Sequence, residues 1–120
     1  MKIAITCSGN NLDAPVDPRF GRASSFIIYE DETGEFELVS NEQNLQASQG
    51  AGVQAGQNIV ATGAQALISG HVGPKAYHVL KTAGVSIYLS EAGTVREAID
   101  ALRAGRLQQA QGADRPGHWG

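Results

Sequence analysis

The sequence contains a single cysteine, Cys7, in 120 residues. One thiol excludes an internal disulfide framework, so stability has to come from a hydrophobic core. Aromatic residues make up only 6%, too little material for a base-stacking platform. Basic residues number 9 against 12 acidic ones, and no Lys/Arg cluster falls on any predicted face. The electrostatic footprint of a nucleic-acid binder is therefore missing. No apolar run approaches the ~20 residues that span a bilayer. The opening Met1-Lys2-Ile3-Ala4-Ile5 passes straight into a strand-like pattern, without a signal-peptide apolar core and cleavage site. These absences lead to the expectation of a soluble cytoplasmic protein with neither nucleic-acid nor membrane partners. Also missing are a P-loop, a dinucleotide fingerprint, a CxxC pair and a nucleophile elbow.

What the chain has in plenty is glycine, with 15 residues, against a usual share of roughly 7%. The glycines fall mostly where turns are expected, which points to short elements with tight connections. At 42% hydrophobic, the chain can bury one core, and its length suits one domain.

Residues 2–7 form a short apolar run ending at Ser8-Gly9-Asn10-Asn11, which reads as a strand entering a loop. That loop carries Pro15 and Pro18 and extends to Arg22. Residues 25–30 and 36–40 read as two strands joined by a short polar link, and such neighbours pair antiparallel. Residues 41–50 offer no continuous core face and are expected to be a connection. A helix over 51–61 carries Val53, Gly56, Ile59 and Val60 as a thin apolar stripe. A buried strand over 64–69 follows. Pro74 suits a first helical position, and Ala76, Val79, Leu80 and Ala83 repeat at helical spacing up to Gly84. Residues 85–89 read as a fifth strand. Thr94 and Glu97 have capping-box spacing, ahead of the stripe Val95, Ala98, Ile99 and Leu102.

The resulting order is β-β-β-α-β-α-β-α. It implies an α/β domain over residues 1–107, with a mixed five-stranded sheet, flanking helices and the topology also seen in ribonuclease H-like folds. Residues 108–120 show no periodicity and are expected to be a flexible tail. His118 and Trp119 lie in it.

Three segments carry a resemblance. They are Pro18-Arg19-Phe20-Gly21-Arg22-Ala23, then Ser69-Gly70-His71-Val72-Gly73-Pro74-Lys75-Ala76-Tyr77, and Gly93-Thr94-Val95-Arg96-Glu97-Ala98-Ile99. In this order and spacing they resemble the dinitrogenase iron–molybdenum cofactor biosynthesis family, above all its small standalone members. The resemblance runs from Met1 to about Leu107. It implies a ribonuclease H-like domain and, from members attached to nitrogenase assembly, an iron–sulfur or iron–molybdenum cluster or precursor as the bound group. Several relatives place a histidine near the position of Arg19 or Arg22, and this chain departs from them there.

The candidate binding residues are Cys7, Arg19, Arg22, Gly70, His71 and Gly73. The 69–74 turn falls at the carboxyl end of a strand expected to be parallel, where α/β sheets bind ligands. Its glycines allow close backbone approach, and the helix from Pro74 aims its positive end at the opening. Equally, the turn is explained by its own tightness. His71 is either a neutral imidazole ligand or a solvated loop residue. Cys7 is either a soft thiolate ligand or a small buried hydrophobe. Cys7 and His71 fall short of a four-ligand cage. Arg19 and Arg22 can grip an anion by charge-assisted hydrogen bonds, or merely solvate a loop anchored by Phe20. His78 reads as an exposed helix residue. The first strand brings no carboxylate for a two-metal nuclease.

The expected function is a non-enzymatic accessory protein that binds or carries an iron–sulfur or iron–molybdenum cofactor or precursor. The competing expectation is a small regulatory or interaction module that takes an anionic metabolite or protein partner without metal.

Overall fold

A computed structural model describes residues 1–41, 51–90 and 93–110. Its sheet contains β1 (Lys2–Cys7), β2 (Ser25–Glu30), β3 (Phe36–Ser40), β4 (Ala66–Ser69), β5 (Ser86–Leu89) and β6 (Gln108–Gln109). The spatial order is β3-β2-β1-β4-β5-β6. β1 pairs antiparallel with β2 and parallel with β4, which pairs parallel with β5. β3 and β6 close the two edges, each antiparallel to its neighbour.

The sheet thus has six strands where the sequence suggests five. The addition is two glutamines from the segment expected to be a tail. Their polarity hides them, because the strand is held by its backbone pairing with Tyr88 and Leu89 and by Ala110 N–H donating to Ile87 O at 2.8 Å. The 42–50 connection and the tail residues 111–120, with His118 and Trp119, lie outside the described residues.

Alternation along the central strand sorts side chains into two layers. Ala4 joins Phe26, Leu67 and Ile87 beneath α1 (Ala51–Ala61) and α2 (Pro74–Thr82). Ile3, Ile5 and Cys7 join Ile68 beneath α3 (Val95–Arg103) on the other face. β1 is buried from Ile3 to Cys7 and mostly apolar because both its faces are covered.

The helices follow their stripes except at Val60 and at Ala83, which is exposed just past the end of α2. Ala76 and Leu80 of α2 and Val95, Ala98 and Ile99 of α3 are buried, and α3 begins with the full capping box of Thr94 and Glu97. In α1, Ala55 and Ile59 are buried whereas Val60 is exposed. The small residues of α1 serve its contact with α2: a Cβ on Gly56 would lie 3.2 Å from Val79 Cγ1. Gly84 and Gly105 follow α2 and α3 with φ of 83° and 73°, the left-handed closure that glycine adopts without strain. None of the helices among the described residues is long and apolar enough to cross a membrane.

Candidate functional site

The first loop and the 69–74 turn meet at the carboxyl ends of β1 and β4. Arg19 and His71 form a parallel bridge, with Phe20 N–H donating to His71 O at 3.3 Å. Phe20 is buried, and its ring packs on Phe26 with centroids 5.7 Å apart. A short 3-10 turn over Phe20–Arg22 follows. Phe20 therefore anchors the loop while Arg19, 68% exposed at its side chain, and Arg22 stay at the surface. His71 is half-buried beside them.

Gly70 has a role other than ligand access. A Cβ there would meet Pro18 Cα at 2.5 Å and Pro18 O at 2.8 Å. The room that glycine leaves is filled by the first loop, so Gly70 locks loop to turn and presents no gap to a bound group. Gly73 is the residue before the helix, with φ −71° and ψ 169°. It has no side chain to cap α2, no acidic residue sits in the first turn, and Pro74 occupies the first position. The positive end of α2 thus opens onto the rim next to exposed Lys75. At α3 the same end is closed internally by Thr94 Oγ1, which accepts from Glu97 N–H at 3.1 Å.

Cys7 ends β1 at this rim, but its side chain turns into the core. It is 0% exposed and packs among Ile5, Val16 and Val95 beneath α3. Phe20 and Val72, the chain neighbours of Arg19 and His71, pack into the opposite layer. Burial pushes the thiol above its ordinary value, and the nearby Asp17 charge adds to this, against hydrogen bonds at Gly9 and Ser25. The protonated small-hydrophobe form is the one this surrounding favours. His78 is exposed on α2.

Sequence reasoning misses Asp17, a carboxylate only 6% exposed at its side chain. Its Oδ1 accepts from Arg19 N–H at 2.9 Å, and its Oδ2 accepts from Ser8 Oγ at 3.0 Å. Arg19 Nε lies 3.6 Å from Oδ1. Below it, Thr6 Oγ1 donates to Asp17 O at 2.7 Å and lies 3.1 Å from Ser69 Oγ. This polar network ties β1, the loop and β4 together directly under Arg19. The signal was present in Val16-Asp17-Pro18-Arg19, because aspartate at the head of a Pro-containing turn accepts from the N–H two residues on. Asn41, fully buried, holds the far end of the loop by donating from Nδ2 to Ala23 O at 2.7 Å. Nothing in its sequence context distinguishes it from a solvated loop residue.

Among the described residues, no three His, Cys, Asp or Glu side chains come together as a metal site. The donor set among the described residues does not fit a cluster held by those ligands alone. What the rim offers is positive charge and backbone N–H groups.

A small α/β domain with a cationic, uncapped rim at its central strand ends is the class these features define. Residues 1–105 match the model of the dinitrogenase iron–molybdenum cofactor family, and the chain belongs to that family. It is 33% identical over 112 residues to an uncharacterized protein of Methanocaldococcus jannaschii, covering 91% of each chain. The apo form of the orange protein from Desulfovibrio gigas superposes with a TM-score of 0.92 at 38% identity, covering 95% of this chain and 96% of that one. A NifB-like protein from Thermotoga superposes with a TM-score of 0.84 at 41% identity, over 97% and 98% of the two chains.

Proposed function

We propose that this protein is a non-enzymatic accessory protein that carries an anionic metal–sulfur group, an iron–sulfur or iron–molybdenum cofactor or its precursor, as cargo. The group is gripped as a whole anion by Arg19, Arg22 and the first-turn N–H groups of α2, with His71 at its flank. The observation that carries the reading is the uncapped, positively charged start of α2 beside Arg19 and His71, in a chain of net charge −3. Helix N-termini and arginines are the groups that hold anions without covalent ligation. Family membership supplies the chemical class of the cargo. The strand order β3-β2-β1-β4-β5 with β2 reversed supports the ribonuclease H-like reading of the fold. A cytoplasmic setting suits the free thiol of Cys7.

Burial of Cys7 favours one second reading, in which the same rim takes a phosphate-bearing metabolite without metal. Anaerobic titration with a preformed iron–sulfur cluster, run beside inorganic phosphate, separates the two. Carriage predicts cluster uptake that survives Cys7→Ala and falls at least about tenfold in Arg19→Ala/Arg22→Ala, the loss of one to two charge-assisted contacts. Equal, weak uptake by wild type and the arginine variant sinks the carrier reading, and stabilisation by phosphate alone establishes the second.

A further inference from the structure

The end of the sheet away from the rim has the opposite charge. Glu30, Asp31, Glu32, Glu35 and Glu37 are five of the 12 acidic residues, gathered within eight positions of the β2–β3 hairpin. The terminal amine of Met1 engages Glu30 and Asp31 at 2.8 and 2.9 Å. Glu32, Glu35 and Glu37 are exposed.

The same hairpin carries the sheet edge. Ladder bonds run from Glu30 N–H to Glu35 O at 2.8 Å and from Asn41 N–H to Ser24 O at 3.0 Å. Antiparallel bonding alternates along a pair, so Glu37 and Val39 bond to β2, and the N–H and C=O groups of Phe36 and Leu38 point away from the sheet. No further strand lies outside β3 among the described residues. Phe36 and Leu38 are also exposed apolar side chains, at 41% and 47%. The register places them opposite Tyr29 and Ile27, continuing that apolar face to the margin of the sheet. Two residues thus present free backbone groups and apolar surface together, with Glu35 and Glu37 interleaved.

We infer that the β3 edge is a docking strand for an extended segment of a partner protein in which basic and apolar residues alternate, added as a strand beside Phe36–Ser40. Main-chain bonds at Phe36 and Leu38 set the register, their side chains receive the apolar positions, and Glu35 and Glu37 select the charge. A second copy of this chain is the wrong occupant, because it would bring two acidic hairpins together. The inference does not depend on what the rim carries. It supplies a place for a partner to hold the protein while the opposite end stays open.

The test uses a six-residue peptide alternating valine and lysine and its valine–glutamate counterpart, each titrated into the isotope-labelled protein. The expected result is movement of the Phe36 and Leu38 amide signals by the basic peptide, about tenfold tighter than by the acidic one, as two exposed charge pairs allow. Glu35→Lys/Glu37→Lys should reverse that preference. Leu38→Pro should abolish binding while the fold persists, because the lost N–H makes no ladder bond and proline is tolerated at edges. Equal binding of both peptides, or shifts elsewhere, overturns the inference. Concentration-dependent dimerisation through these amides without peptide also overturns it, in favour of a second copy.

Discussion

At the scale of single residues, Asp17 and Cys7 show how neighbours decide what a side chain can do. Asp17 Oδ1 and Oδ2 accept from Arg19 N–H and Ser8 Oγ, so its carboxylate is a strut for the loop under Arg19. Asp17→Ala should lower stability by about 1–3 kcal/mol, the cost of stranding buried donors, measured by urea denaturation. An unchanged midpoint would refute the strut role. Cys7 was legible in sequence only as a pair of alternatives, because a thiol at a strand end is a ligand or a core residue according to which layer it enters. It enters the layer beneath α3. Burial raises its thiol above the ordinary 9.0, so the unfolded chain releases this proton first. The stabilising contribution is complete below about pH 9 and is lost as pH rises through the higher folded value. Urea midpoints should therefore fall above about pH 9 in wild type, and fall less in Cys7→Ala. Matching pH profiles for the two proteins would contradict the assignment.

At the scale of elements, the contact between first loop and 69–74 turn is what builds the site, and Gly70 is its closest point. Gly70→Ala forces Cβ against Pro18 backbone at 2.5 Å. The expected cost is about 1–3 kcal/mol for overpacking, together with displacement of Arg19 from His71, readable as lost protection of the Phe20 amide in hydrogen exchange. Wild-type stability and protection in that variant would show that the loop docks some other way. Most elements were legible in the sequence, since β1, β2 and β3 run over the residues expected and α2 starts at Pro74. Periodicity, the proline and the Thr94/Glu97 box encode these locally. β6 was illegible because two polar residues carry no period, and the pairing that defines them lies across the sheet. The site was half legible: glycines and proline marked the turn, but only tertiary contact reveals that Pro18 fills Gly70 and that Asp17 stands beneath Arg19.

At the scale of the whole molecule, charge is polarised along the central strands. Arg19, Arg22 and Lys75 crown the ends of β1 and β4, while the acidic hairpin sits by Lys2 at the start of β1, where Lys2 pairs with Glu30. Such a field would favour an anion at one end and, under the docking proposal, a basic partner at the other, more strongly at low salt. The family relationship makes a metal–sulfur anion the ligand to test first at the positive end. Amide shift mapping during anaerobic addition of a diamagnetic iron–sulfur cluster tests this most directly. The amides of Arg19, His71, Lys75 and Ala76 should move together and saturably. Anion binding at this rim is refuted if those signals stay still while others move, such as those lining the roughly 350 Å³ cavity between Ser90, Glu97 and Arg106.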